Sequence, residues 1–205
     1  MRLGILGGAF NPPHIGHLVC AQEAVLHLEL ERLLFVPMGT APHREIEQDP
    51  GAEARFEMCE LAVEDDERFE VSRVEVDREG PSYTAETLRG LGEESSGDEL
   101  FLVLGGDQAV SLPKWHEPEE VLRLATVAVV PRTGFHREAM AVKIASLKGA
   151  AGVRFFDMPR VDVSSSLVRH RVAEGKPIRY LVPGKVAAYI EEHGLYTAST
   201  PATTA

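Results

Sequence analysis

Residues 3–18 read LGILGGAFNPPHIGHL and combine three local signals. The apolar run Leu3–Leu6 predicts a buried strand, and apolar residues at helical spacing predict a helix over Ile15–Leu30. Between them, Gly7 and Gly8 let the backbone turn sharply and approach a ligand closely, and two prolines end the strand. The helix start would direct free N–H groups and a partial positive charge at this loop. This arrangement predicts a phosphate-binding site.

The rest of the chain alternates short apolar runs with amphipathic stretches. Further strands are predicted at Leu33–Pro37, Phe69–Val76, Leu100–Leu104, Val127–Val130 and Arg154–Met158. Helices are predicted at Ala52–Val63, Thr84–Leu91, Pro118–Leu124, Arg137–Leu147, Ser165–Glu174 and Pro183–His193. This order indicates an α/β fold with a doubly wound, mostly parallel sheet and a helical carboxyl-terminal part. We expect a single domain over residues 1–196 and a frayed tail over residues 197–205.

Composition and charge narrow the class of protein. The 205 residues include 21 lysines and arginines against 32 aspartates and glutamates, for a net charge of −11. Nucleic-acid affinity comes mostly from neutralised phosphates, so a general nucleic-acid partner is not expected. No apolar run reaches the roughly 18 residues of a membrane helix, and no signal peptide is evident. Cys20 and Cys59 are expected to be buried free thiols in a cytoplasmic protein, for which a homo-oligomer is possible.

Two histidines, His14 and His17, stand three residues apart at the predicted helix start. This spacing places both rings on one side of the helix, over the same site. Beside a polyphosphate, an imidazole is pushed toward its cationic form and donates hydrogen bonds to the oxygens. A zinc site is the competing interpretation. It is disfavoured because no third ligand stands nearby and a helix amino terminus repels a cation, so no protein-bound metal is expected.

The segment Gly8–His17 resembles the signature of the nucleotidyltransferase superfamily that is marked by His-x-Gly-His. Val163–Arg169, which reads VSSSLVR, resembles the second signature of that superfamily, Ile-Ser-Ser-Thr-x-Ile-Arg. The resemblance implies a Rossmann-like nucleotidyltransferase fold in which His14, His17 and Arg169 act in catalysis. The residues it implies for ATP binding are Gly8, Ala9, Phe10, His14, Gly16, His17, Gly105, Asp107, Ser164, Ser165 and Arg169.

Two further segments resemble the nicotinate mononucleotide adenylyltransferase family. Ser82–Leu88 reads SYTAETL and is similar to that family's Ser-Tyr-Thr-x-x-Thr-Leu. Gly105–Asp107, followed by Trp115, is similar to its Gly-x-Asp and later tryptophan, and the indole could stack on a pyridine ring. Asp107 would meet either the ATP ribose or Mg²⁺. The residues implied for substrate binding are Tyr83, Thr84, Ala85, Trp115, His43 and Arg44.

Four positions depart from the family pattern. Ala9 stands where Ser or Thr is common, Asn11 stands for Asp, Ser166 for Thr and Arg44 for Lys. Arginine keeps the charge of lysine but changes the geometry of its hydrogen bonds. None of the four removes a group that the chemistry obviously requires.

The resemblance implies the reaction of ATP with nicotinate mononucleotide, which gives nicotinate adenine dinucleotide and pyrophosphate in NAD biosynthesis. The acceptor phosphate would attack the α-phosphorus in line, without a covalent enzyme intermediate, and Mg²⁺ would arrive with ATP. Two alternatives stay open. One keeps the chemistry and takes nicotinamide mononucleotide or phosphopantetheine as the acceptor. The other is a non-catalytic nucleotide-binding regulator on the same fold.

Overall fold

The computed structural model describes residues 1–42, 45–94, 97–131 and 136–198. Within these residues the strands are β1 (Arg2–Gly8), β2 (Arg32–Pro37), β3 (Phe69–Val71), β4 (Glu99–Gly105), β5 (Thr126–Val130) and β6 (Arg154–Phe155). They form one sheet in the order β3-β2-β1-β4-β5-β6, and every neighbouring pair is parallel. The strand order reverses between β1 and β4. In open parallel sheets, ligands bind at the carboxyl ends of the strands at such a point.

The helices are α1 (Ile15–Leu28), α2 (Ala52–Val63), α3 (Thr84–Glu94), α4 (Gly106–Ser111), α5 (Pro118–Leu124), α6 (Arg137–Ile144), α7 (Ser165–Ala173) and α8 (Gly184–Glu192). Short 3₁₀ turns follow α4 at Leu112–Lys114 and precede β6 at Ala150–Gly152. None of the helices in the described ranges is long and apolar enough to cross a bilayer. Residues 199–205 of the predicted tail lie outside the described residues.

Both faces of the sheet are covered, which explains why β1, β2, β4 and β5 are apolar over most of their length. Successive residues of β4 point to opposite faces. Leu102 joins the cluster that packs on α3 and α5, and Phe101 joins the cluster that packs on α1 and α2. A third apolar cluster joins the carboxyl-terminal helices to α2, with Met58 beside Val168 and Val186. The doubly wound α/β fold and the helical carboxyl-terminal part are therefore as predicted, and both cysteines are buried free thiols.

Two predicted strands were too long, and one short helix was not predicted. The strand expected over Phe69–Val76 ends at Val71, because the following residues turn, and the Asp77 amide donates to the Arg73 carbonyl. The strand expected over Arg154–Met158 spans only its first two residues. Helix α4 was not predicted, because its first residue follows Gly105 in a glycine pair that indicates a loop.

Candidate active site

A cavity of about 430 Å³ opens at the carboxyl ends of β1, β2 and β4, on the face of the sheet that carries α3. Its walls come from the end of β1, the segment after β2, the start of α3 and the segment from α4 to Trp115. The cavity lies at the point where the strand order reverses, as expected for a ligand site in this type of sheet. Six of the predicted site residues line it: Gly8, Ala9, Tyr83, Thr84, Asp107 and Trp115.

The glycine-rich loop differs from its predicted shape. Strand β1 runs through Gly8, and neither Gly7 nor Gly8 has a positive φ. The chain turns at Phe10 instead, whose φ is 48°, and the Asn11–Pro12 peptide bond is cis. The glycines serve close approach rather than turning. A Cβ at Gly7 would meet no atom within 4 Å, because this part of the backbone borders the cavity.

The two histidines form a stacked pair at the start of α1, as their spacing predicts. Their ring centroids lie 3.8 Å apart, with 29° between the ring planes. His14 Nδ1 accepts from the Gly16 amide at 3.1 Å, and His17 Nδ1 accepts from the His14 amide at 3.1 Å. Because both Nδ1 atoms are acceptors, the geometry assigns the ring protons to Nε2. A Cβ at Gly16 would lie 3.0 Å from His14 Nδ1, which explains glycine at that position.

The N–H groups at the start of α1 are not available as predicted. The Ile15 amide donates to the Leu181 carbonyl at 3.0 Å, the Gly16 amide to His14 Nδ1, and the His17 amide to the His14 carbonyl at 2.9 Å. The prediction that free amides of this helix start would bind a phosphate is therefore wrong for its first three residues. In this arrangement the imidazole Nε2–H groups, rather than the backbone, are the donors suited to phosphate oxygens.

Phe10 supports the histidine pair. Its side chain is 2% exposed and packs edge-on against the His17 ring, with centroids 4.9 Å apart. The ring also contacts Phe35 in the core below. A contact with ATP at this position would therefore involve the Phe10 backbone. The aromatic ring itself holds His17 in place.

The second signature meets the first at the amino terminus of α7. Ser164 caps the helix by accepting from the Leu167 amide at 3.2 Å. Ser165 Oγ donates to the Pro12 carbonyl at 2.8 Å, and Arg169 Nη1 donates to the Asn11 carbonyl at 2.9 Å. Hydrogen bonds thus join two segments more than 150 residues apart in the sequence. The two signature segments are therefore in direct contact.

Arg169 is buried and already has an anionic partner. Its Nη2 donates to a carboxylate oxygen of Glu47 at 3.0 Å, whereas its Nε is buried without a hydrogen-bond partner. The Glu47 side chain is 83% exposed, so solvent screens this ion pair and weakens it. A phosphate could replace the carboxylate on the guanidinium, because both anions accept from the same fork of donors.

Asn11 explains one departure from the family pattern. Its Nδ2 donates to the Glu47 carbonyl at 2.7 Å, and its Oδ1 accepts from the Tyr196 hydroxyl at 2.7 Å. An aspartate would keep the acceptor and lose the donor. Burial raises the pKa of the Tyr196 phenol above its ordinary value, so the hydroxyl keeps the proton that it donates.

Aromatic rings form the other wall of the cavity. Trp115 is half-buried, and its Nε1–H donates to Ser111 Oγ at 3.0 Å. The Ser111 hydroxyl in turn donates to the Gln108 carbonyl at 2.8 Å, so α4 fixes the orientation of the indole. The rings of Tyr83 and His116 lie 4.4 Å apart nearby. Sequence reasoning missed Ser111, although a hydroxyl one helical turn before a tryptophan is a usable signal.

A buried carboxyl, Glu75, also borders the cavity and was missed. It is 8% exposed and accepts from Thr87 Oγ1 at 2.7 Å, while Arg78 Nη1 donates to the same Thr87 oxygen at 3.0 Å. Burial raises the pKa of Glu75, and hydrogen bonds from Thr87 and Ser82 oppose that rise. The carboxyl anchors Thr87, which lies one turn inside α3.

The remaining predicted residues are placed as follows. Ala85 is fully buried, so only its backbone could meet a ligand. Gly105 ends β4 and directly precedes α4. His43 and Arg44 lie outside the described residues. Over the described ranges, no group of three or more His, Cys, Asp or Glu side chains is arranged to hold a metal ion.

Comparisons with known proteins show the family of the chain. The cytidylyltransferase-like family model matches residues 5–171. A relative from Geobacillus thermodenitrificans, named as a probable nicotinate-nucleotide adenylyltransferase, is 42% identical over 199 residues, which are 97% of this chain and 88% of the relative. The nicotinate-nucleotide adenylyltransferase of Bacillus subtilis is 38% identical over 195 residues, covering 95% of this chain and 98% of the relative.

A solved structure shows the same fold. It is that of Plasmodium falciparum nicotinic acid mononucleotide adenylyltransferase complexed with NaAD. The TM-score is 0.76 at 17% sequence identity, and the match covers 95% of this chain and 97% of that one. With the sequence matches above, the chain therefore belongs to the cytidylyltransferase-like family and, within it, to the nicotinate-nucleotide adenylyltransferases.

Proposed function

We propose that the chain transfers the adenylyl group of ATP to nicotinate mononucleotide, releasing pyrophosphate, and so acts in NAD biosynthesis. The observation that carries the proposal is one cavity with two kinds of wall. The glycine loop at the end of β1 forms one wall, and the stacked histidines, which do not themselves line the cavity, follow this loop in the chain. Tyr83, Thr84 and Trp115 form the other. A nucleotide and a planar acceptor can therefore lie side by side.

Catalysis in this site is positioning together with stabilisation of charge. The acceptor phosphate is already an anion, so its attack on the α-phosphorus of ATP needs no general base, and no covalent enzyme intermediate forms. His14 and His17 would donate from Nε2 to the α- and β-phosphates, where negative charge grows as pyrophosphate leaves. Ser165 and Arg169 would hold the β- and γ-phosphates, and Arg169 would exchange the Glu47 carboxylate for a phosphate.

The acceptor would occupy the wall formed by α3 and the aromatic rings. Trp115, oriented by Ser111, would stack on the pyridine ring. Thr84 begins α3, whose amino terminus favours an anion, so the nicotinate carboxylate would lie against Tyr83, Thr84 and the Ala85 backbone. The His43 and Arg44 loop would bring a cation to the phosphates. These features favour an acid over an amide as the acceptor.

Mg²⁺ is proposed as the counterion of ATP rather than as a metal held by the protein. The described residues contain no cluster of three side chains that could bind a metal ion. The exposed carboxylate of Asp107 borders the cavity. Asp107 would therefore meet either the ATP ribose or an ion that phosphates and water mainly coordinate. The ion supplies charge neutralisation on the phosphates when it is bound.

The extent and location of the enzyme are proposed on related grounds. Ser165, Arg169 and Tyr196 all bond to the loop after β1, which supports one functional domain over residues 1–196. The two buried free thiols support a reducing, cytoplasmic location.

The test is pyrophosphate release with ATP, Mg²⁺ and one acceptor at a time. The acceptors are nicotinate mononucleotide, nicotinamide mononucleotide and phosphopantetheine. We expect a strong preference for the first, measured as kcat/KM. Release only with another acceptor would overturn the assignment of Thr84 and Trp115 to the pyridine subsite. If protein that circular dichroism shows to be folded releases no pyrophosphate with any of the three acceptors, the result would favour a nucleotide-binding regulator.

A further inference from the structure

Arg55 is fully buried in α2 and does not border the cavity. Its Nη1 donates to the Ala9 carbonyl at 3.0 Å and to the Met38 carbonyl at 2.6 Å. Its Nη2 donates to the Gly39 carbonyl at 3.2 Å, and its Nε donates to Asp49 Oδ1 at 2.9 Å. One guanidinium therefore binds three backbone carbonyls from two separate loops.

These two loops are neighbouring parts of the cavity wall, and the Met38 amide donates to the Gly8 carbonyl at 2.9 Å between them. Ala9 follows β1 in the glycine loop, and Met38 follows β2. A planar fork spreads its donors over Nε and two Nη atoms and so reaches the Asp49 carboxylate and the carbonyls of both loops at once, whereas a lysine ammonium holds its three donors at one point and lacks the Nε donor. With a carboxylate on Nε and carbonyls on both Nη atoms, the charge of Arg55 is neutralised and its hydrogen-bonding capacity is largely used.

The connection continues from Gly39 toward α3. The Gly39 amide donates to Ser82 Oγ at 3.1 Å, and Ser82 directly precedes the segment assigned to the acceptor. Gly39 also packs on the backbone of Glu75, since a Cβ there would lie 2.0 Å from the Glu75 carbonyl oxygen. Hydrogen bonds thus connect the glycine loop after β1, to which we assign ATP, through Arg55 and Gly39 to Ser82.

We infer that Arg55 is a positioning residue that sets the geometry of the ATP loop and the acceptor wall together. The inference rests on the proposed function for the identity of the two ligands. Arg55 touches neither of them. It fixes Ala9, Met38 and Gly39, so its loss weakens binding on both sides of the cavity, whereas loss of a residue from one subsite weakens mainly one ligand.

The test compares wild type with Arg55→Lys, which keeps the charge and loses the fork. We expect the Kd for α,β-methylene-ATP, measured by calorimetry, and the KM for nicotinate mononucleotide each to rise at least tenfold. The calorimetric stoichiometry should stay at one site per chain, which shows that the measured molecules are folded. The matched control is Arg73→Lys, an exposed arginine paired with Glu53 and Asp77, for which both constants should stay within twofold.

A lower melting temperature for Arg55→Lys with both constants unchanged would overturn the inference and leave Arg55 as a core residue only. A rise in only one of the two constants would show that Arg55 does not position both sides of the cavity.

If Arg55→Lys is recovered unfolded, ¹⁵N-labelled wild type is used. The Arg55 Nε–H resonance should shift with α,β-methylene-ATP and, separately, with the acceptor, and a shift with neither overturns the inference. Wild type that binds the analogue but releases no pyrophosphate would contradict the proposed function alone.

Discussion

His17 combines a structural and a proposed chemical role in one imidazole. It occupies the third position of α1, where Glu or Gln commonly accepts the amide hydrogen of the capping residue. Here His17 Nδ1 accepts that hydrogen from His14, and Phe10 packs against the ring. The cap therefore fixes both the orientation of the ring and the nitrogen that carries the proton. Such preorganisation is what a donor to a developing negative charge requires.

His17→Gln separates these two roles, because glutamine keeps the capping acceptor and lacks the imidazole. We expect kcat to fall about 10²–10³-fold, as on loss of another preorganised donor, with a melting temperature close to that of wild type. His17→Ala should lose the same activity and also about 0.5–2 kcal/mol of unfolding free energy with the cap. His27→Gln, in the exposed part of the same helix, is the control. Wild-type turnover in His17→Gln would exclude a role for His17 at the phosphates.

The sequence predicted those site residues that stand in local patterns. His14, His17 and Ser164 could be placed because a helix start fixes its neighbours within one turn. The sequence could not place Arg55 and Glu75 in the site, because their hydrogen-bond partners lie in distant parts of the chain. Arg55 binds carbonyls 16 to 46 residues away, and a lone arginine in an amphipathic helix indicates only a solvated face.

At the amino terminus of α7, two neighbouring serines make different hydrogen bonds. Ser164 bonds within its own helix, to the Leu167 amide. Ser165 bonds across to the Pro12 carbonyl and so holds the helix against the loop after β1. Both are hydroxyls in a triple-serine cap, and the sequence alone does not separate them. Stability and ligand affinity should therefore respond to different members of the pair.

Ser164→Ala should lower the unfolding free energy by about 0.5–2 kcal/mol through loss of the cap and change the KM for ATP less than twofold. Ser165→Ala should instead raise the KM for ATP severalfold, since the α7 amino terminus loses its bond to the loop. Urea unfolding and initial rates at varied ATP measure the two effects. Each variant is the control of the other, and identical effects in both assays would show that the serines act as one cap.

Element boundaries failed where tertiary contacts overrode local preference. Valines recur after Phe69 as far as Val76, but Glu75 turns inward to meet Thr87, and the strand ends at Val71. Helix α4 begins directly after Gly105, where packing of Ala109 against the core outweighs the loop preference of two glycines. Sequence periodicity carries no information about such distant partners.

At the scale of the whole molecule, an acidic chain must bind two anionic nucleotides. The net charge of −11 opposes binding, so the cations that matter are local and placed at the carboxyl edge of the sheet. Lys114 borders the cavity, and Arg169 lies beside the loop after β1. Glu75, by contrast with these cations, is a buried carboxyl in the cavity wall, and burying it costs desolvation free energy. That cost should be visible in the stability of the entire fold.

Burial raises the pKa of Glu75 in the folded chain above its ordinary value of 4.5, so the folded state binds this proton more tightly than the unfolded state. The contribution of Glu75 to stability is therefore fully present below its ordinary pKa and is lost as pH rises through the raised pKa. Because glutamine does not titrate, the unfolding free energy of Glu75→Gln does not lose this contribution as pH rises. We expect the stability of Glu75→Gln relative to wild type to increase as pH rises from 4 to 7, measured by urea unfolding at each pH.

The control, Glu53→Gln, should behave in the opposite sense. Hydrogen bonds from Arg73 lower the pKa of the exposed Glu53 carboxyl, so its contribution is present above the ordinary pKa and is lost as pH falls. The difference between Glu53→Gln and wild type should therefore shrink toward acid pH, by a small amount because solvent screens this pair. If the relative stability of Glu75→Gln were flat across the same range, the Glu75 carboxyl would titrate alike in both states. The polar contacts of the cavity wall would then already offset the desolvation of that carboxyl.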